Sequence, residues 1–227
     1  MTFLANIKTI FFLAYRSSAL YSVNDNQKRW MVFGIGLKVV VDQVRSFVEQ
    51  EVKKEYINVK TNHSIDTQST PGRLKNWPNW PLRPITLKYE NINGNDTLPK
   101  VGGKYNYAAF DCRVTSHVHF AKMYVENFMA KFNAFDEHCD ASAVLTLLGK
   151  VPVFSAAVQS AAGNVRQARN AWAHCAFNDW DPVKFGQTFH VMEQLVIALG
   201  LPASDETRLL ADLKEWETKG TWHQIIH

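Results

Sequence analysis

Cysteine is scarce in this chain of 227 residues: three are present, Cys112, Cys139 and Cys175. Their number is odd and no two lie at a short paired spacing, so a disulfide framework is excluded as the source of stability and reduced thiols are expected. Reduced thiols point to a cytoplasmic setting. Long apolar runs are also missing, and no stretch free enough of charge reaches the length that spans a bilayer. The first residues, Met1 to Tyr15, loosely resemble a signal peptide, but Lys8 interrupts the run and Arg16 closes it. Two acceptor sequons, Asn62-His63-Ser64 and Asn95-Asp96-Thr97, nevertheless stand in the sequence. Strong charge is absent too. The formal net charge of +4 favours a polyanion mildly and falls short of a dedicated DNA-binding domain. No internal repeat is found.

What remains is ordinary globular composition, 46% hydrophobic and 20% charged, enough for one domain with its own core. From about Gln27 to Tyr56 the residues Trp30, Phe33, Leu37, Val40, Val41, Val44, Phe47, Val48 and Val52 recur at spacings of three and four. That periodicity predicts a long amphipathic helix, weakened in its first turns by Gly34 and Gly36. Residues 58–107 are rich in Asn, Pro, Gly and Thr, and read as a long insertion with one short strand near Pro84 to Tyr89. Within it Arg73, Lys75, Trp77, Trp80 and Arg83 interleave cations and aromatics, as single-stranded nucleic-acid surfaces do. The plainer alternative is that these tryptophans pin the loop to the bundle.

A second long helix is predicted by the stripe Val114, Val118, Ala121, Val125, Phe128, Met129 and Phe132. Asp140 then caps a shorter one over Ala141 to Leu148, ended by Gly149 and Pro152. The stretch from Phe154 to Cys175 is expected to be helical with a break near Gly163. Asp181-Pro182 starts the next, which runs to Gly200, and Ser204 opens the last, with Leu209, Leu210, Leu213 and Trp216 inward. The expected fold is an all-α helical bundle of five or six helices, with the Pro/Asn-rich insertion between the first two long ones.

The chemistry concentrates in one segment. At about 100° per residue, Arg166, Gln167, Arg169, Asn170 and His174 fall within one wedge of the helix from Val165 to Cys175, with only Ala173 among them. Trp172, Ala168, Ala171 and Cys175 fall on the opposite side, so Cys175 is expected to be a small buried thiol. Arginine forks hold phosphate oxygens in a bidentate way, and imidazole exchanges protons near neutrality. A solvated helix face is the alternative. A second cluster, Cys112, His117, His119, His138 and Cys139, is close in sequence. On a helix, however, His117 and His119 point about 160° apart, so neither a metal nor any other cofactor is expected.

Arg169-Asn170-x-x-x-His174 resembles the signature of the HEPN superfamily (higher eukaryotes and prokaryotes nucleotide-binding). Further stretches agree: Arg29-Trp30 ahead of Gly34-Ile35-Gly36-Leu37; Leu87-Lys88-Tyr89 with Ile92-Asn93; and Phe135-Asp136 with Cys139-Asp140-x-Ser142-Ala143-Val144-Leu145. Trp172-Ala173-His174-Cys175 and Asp212-Leu213-x-x-Trp216-Glu217-x-Lys219-Gly220 continue the likeness. Together these are similar to the HEPN subfamily found in the DAZ-interacting zinc-finger E3 ligase, over residues 26–220, with residues 1–25 outside it. The resemblance implies a helical domain that forms a homodimer and brings two Arg-to-His motifs into one cleft. It implies an RNA-directed, metal-independent endoribonuclease: His174 would carry protons, Arg169 would hold the scissile phosphate and Asn170 would orient either. Arg166, from the helical wheel, would add a substrate contact. Part of the superfamily is non-catalytic, so the alternative is a dimerisation or scaffold domain of an immune or stress-signalling protein. No RING is present, and no ubiquitin transfer is expected.

Overall fold

The computed structural model describes residues 23–69 and 87–219. Among these there are six α-helices and no β-strand. Helix α1 spans Asp25–His63, α2 His117–Lys122, α3 Ala141–Lys150, α4 Ala156–Ala173, α5 Pro182–Leu199 and α6 Ala203–Lys219. The expected all-α bundle is therefore the observed one. The predicted strand is not: Tyr89–Asn91 forms a 3-10 turn, the sole pairing among the described residues is an isolated bridge between Val101 and Lys104, and residues 84–86 lie outside the described ones. The cation–aromatic run from Arg73 to Arg83 and the segment Met1–Tyr15 lie outside them as well.

Helix α1 is the spine. Asn24 opens it with a full capping box, its side chain accepting from the Gln27 amide while Gln27 reaches back to the Asn24 N–H. It extends beyond the predicted end at Tyr56, taking in residues first read as insertion, and stops where Ser64 turns left-handed at φ 50°. Val32, Leu37, Val40, Val41, Val44, Val48, Val52 and Val59 are all buried along it. Gly36 is needed where it sits, because a Cβ there would lie 3.0 Å from the Phe189 ring and 3.4 Å from the Met192 methyl. The helix-weakening glycine thus admits α5.

The second long helix is absent. Only the six residues of α2 are helical, and Met123 to Ala130 fold as turns. Ser116 caps α2 from its N-terminal side, its hydroxyl accepting from the His119 amide, and Val114 before it donates to the Ile65 carbonyl. Beyond Lys122 the carbonyls a helix would need are already engaged. The Asn91 amide donates to both Lys122 O and Val125 O at 2.8 Å, and the Lys88 N–H to Met123 O at 2.9 Å. Side-chain amides competing for backbone carbonyls explain why an apolar period of three and four did not become a helix here. Most of the stripe is still core, with Val114, Ala121, Val125 and Phe132 fully buried, but Phe128 is 72% exposed.

The remaining helices begin and end as their caps dictate. Asp140, Ser155 and Asp181 each accept from the amide three residues on, Pro182 occupies the first turn of α5, and Gly200 ends it left-handed. Helix α6 starts one residue ahead of Ser204. Helix α4 runs unbroken through Gly163, correcting the expected break, because flanking Ala162 and Val165 are fully buried and hold the turn. Along α1, contacts follow a sequence: Trp30 meets Trp172, Phe33 meets Trp180, Gly36 meets Phe189, Gln43 bonds Asp212, Arg45 the Cys139 carbonyl, Glu49 His117, and Tyr56 packs on Phe120. The first half of α1 carries the helical hairpins; the second half carries the irregular segment.

Candidate functional site

Helix α4 buries Val158, Ala161, Ala162, Val165 and Trp172, which fixes the opposite face outward. Arg166, Asn170 and His174 are exposed and Arg169 is half-buried, as the helical wheel requires. Arg169 Nη1 lies 3.4 Å from Asn170 Oδ1, so the guanidinium and the amide share one patch of surface. His174 is the residue after the last helical one and keeps a helical backbone, φ −76° and ψ −5°. Asn170 and His174 are therefore one turn apart on the same side. Three of the four sequence-predicted site residues, Arg166, Arg169 and Asn170, fall in the last turns of α4, and His174 is the residue that follows its end.

Cys175 does not behave as expected. It is exposed, not buried, because α4 ends at Ala173 and the chain at Cys175 swings into the left-handed region, φ 55°, carrying the thiol off the apolar side. Its amide donates to the Trp172 carbonyl at 3.1 Å, and its thiol makes only a long 3.6 Å contact with the Ala173 carbonyl.

What anchors this helix end is a pair of tryptophans that the periodicity had marked merely as core. The Trp30 and Trp172 rings stack at 5.1 Å and 19°, the Trp30 Nε1–H donates to the Trp172 carbonyl, and the Trp172 Nε1–H to the Trp30 carbonyl, both at 2.8 Å. Gly34 leaves room for this: a Cβ there would lie 2.7 Å from Trp172 Cζ2. Two part-buried hydrogen bonds at about 1 kcal/mol each and a stacked pair at about 1 kcal/mol more hold the end of α4 against α1. Asn26 Nδ2 adds a bond to the Asn178 carbonyl and Arg29 Nη1 a longer one, 3.4 Å, to that of Trp180.

The His/Cys cluster near residues 112–139 is dispersed into other contacts. His117 Nε2 lies 3.0 Å from Glu49 Oε1 and its ring stacks on Phe135, while His119 Nδ1 meets Thr115 Oγ1 at 3.2 Å. Burial and the nearby Lys122 ammonium hold His119 below its ordinary pKa, with Asp111 opposing. Cys112 and Cys139 are buried free thiols, and burial pushes Cys139 up to about 12. His138 is instead beside Asp136 and Glu137, three groups whose ligand atoms lie within 4.8 Å of one another on a half-exposed turn. Asp136 is already engaged by the His138 amide and ring. Asn95, of the second sequon, is buried, donating to the Tyr89 and Asp111 carbonyls and accepting from the Asp111 amide, so its nitrogen is closed to a glycan.

No family model, curated protein or solved structure matches the chain. The HEPN resemblance accordingly rests on the motifs quoted above. No helix among the described residues is long and apolar enough to cross a membrane.

Proposed function

We propose that the chain is an RNA-directed HEPN-type domain that acts as a metal-independent endoribonuclease, with two copies pairing so that their α4 ends face one another. The supporting observation is the convergence of Arg166, Arg169, Asn170 and His174 on one outward face at the end of α4, with Arg169 and Asn170 in contact. Arg169, with Arg166 beside it, supplies bidentate phosphate recognition and screens charge that builds on the phosphorus oxygens during attack. His174 accepts the 2'-hydroxyl proton or returns one to the leaving 5'-oxygen, giving a 2',3'-cyclic phosphate and a 5'-hydroxyl end. Acid–base catalysis of this kind contributes about a hundred- to ten-thousand-fold. Asn170, one turn from His174, orients the ring or a phosphate oxygen. Free thiols and an RNA substrate both suit the cytoplasm.

The test is incubation of the purified protein with single-stranded RNA in excess chelator. Wild type should cleave, leaving cyclic-phosphate ends, and His174→Ala and Arg169→Ala should lose cleavage while keeping the fold. A wild type that neither cleaves nor binds RNA rejects the proposal in favour of a non-catalytic scaffold. Analytical ultracentrifugation tests the pairing directly, and sedimentation as a monomer at the concentrations used for cleavage would reject the shared cleft.

A further inference from the structure

We propose that Trp30, on α1, is a positioning residue for the polar face of α4: its indole N–H takes the Trp172 carbonyl, ends the helix at the turn that carries His174 and so holds the imidazole in phase with Arg169. The positioning role rests on the RNA reading above; the helix-ending role does not.

In a continuing helix the Trp172 carbonyl would accept from the amide of residue 176. Here it is met instead by the backbone N–H of His174, by the Cys175 amide at 3.1 Å and by the Trp30 indole at 2.8 Å. The helix stops there with no glycine to ease the turn, and Cys175 takes the left-handed conformation that glycine would normally fill. A helix end formed against local preference needs an external hold, and the first turns of α1 provide one. Asn26, Arg29, Trp30 and Phe33, spaced as one helix face, reach respectively the Asn178 carbonyl, the Trp180 carbonyl, the Trp172 carbonyl with the Phe177 ring edge, and the Trp180 ring. Five contacts from four residues of one face thus grip the end of α4 and the segment that leaves it. Within that grip the Trp30–Trp172 pair bonds in both directions, so neither helix can rotate without breaking both bonds. Arg169 rides on regular helix, and His174 keeps a helical backbone as the last residue before the left-handed Cys175. Holding the Trp172 carbonyl therefore holds that terminal turn, and His174 on it, in phase with Arg169.

Two variants test this. Trp30→Phe keeps a ring against Trp172 and Phe177 but removes the donor. Gly34→Ala favours α1 intrinsically yet puts a methyl where the Trp172 indole lies, so it attacks the same pair from the other side. Both should keep the far-ultraviolet spectrum of wild type. Amide exchange at residues 174–177 should quicken about fivefold to tenfold, the effect of one lost hydrogen bond, with residues 158–165 unchanged. On single-stranded RNA, kcat should fall by a similar factor of about ten while KM stays within about twofold. Unchanged exchange at 174–177 in both variants overturns the helix-ending role. Faster exchange with full kcat overturns the positioning role alone. An inactive wild type sinks the RNA reading and positioning with it, and exchange then shows by itself whether Trp30 ends the helix.

Discussion

Replacing Cys175 by glycine should make the protein more stable, and the size of the gain follows from the turn after α4. Cys175 stands at φ 55°, where the Cβ of an L-residue crowds the following carbonyl at a cost of roughly 1–2 kcal/mol. Its side chain gives little in return, being exposed with one long thiol contact. Glycine removes the crowding but makes the unfolded chain more flexible, which costs about 0.5–1 kcal/mol. Midpoint against midpoint, the net expectation is a gain of about 0.75 kcal/mol, or about 1.5–3 °C in Tm for a chain of this size. Cys175→Ala is the control, since it removes the thiol and keeps the Cβ; it should stay within about 0.5 kcal/mol of wild type. Urea unfolding followed by circular dichroism, with both variants compared at matched m-values, measures the difference. If glycine is neutral or destabilising, or if alanine gains as much as glycine, the left-handed turn after α4 is not what the structure makes it.

Three further outcomes are expected. With a thiol reagent under native conditions, one cysteine should react rapidly and two only on unfolding, since Cys175 is exposed while Cys112 and Cys139 are buried; three rapid thiols would contradict the packing around residues 112–139. Because His119 is held below its ordinary pKa by burial and by Lys122, its stabilising contribution is fully present above about pH 6.5 and is lost as pH falls through its folded value. Tm should therefore drop less between pH 7.5 and 5 in His119→Gln than in wild type, and equal slopes would exclude it. Asn95→Ala removes three hydrogen bonds from a buried position and should cost about 3 kcal/mol in urea unfolding; a loss below about 1 kcal/mol would mean that the two carbonyls and the Asp111 amide find other partners.

The sequence disclosed the fold wherever a helix is delimited by its own residues. Asp140, Asp181-Pro182 and Gly200 act through the nearest amides and carbonyls, so α3 and α5 were legible to within a residue or two. It misled where backbone groups are claimed from a distance. Nothing local to Val114–Phe132 reveals that Asn91 and Lys88 would take the carbonyls after Lys122, and the apolar stripe, correct as a list of core residues, was wrong as a helix. The face that carries the candidate site was legible too. Arg166, Arg169, Asn170 and His174 fall on one face by helical geometry alone. Cys175 was misplaced because the wheel was carried two residues past the end of the helix at Ala173, and that end is set by Trp30, which bonds the Trp172 carbonyl 142 positions away in the chain.

Helix α1 also acts as a ruler. Its 39 residues extend about 58 Å at about 1.5 Å each, and the partners it meets change from the α4–α6 hairpins to the irregular segment between Gln43 and Glu49. Both halves of the molecule take their angular phase from this one rod. A single residue inserted between those positions would turn one half by about 100° against the other, leaving each set of contacts intact on its own but facing the wrong way. Longer loops would leave this phase undisturbed, whereas a changed spacing between Trp30 and Tyr56 would not.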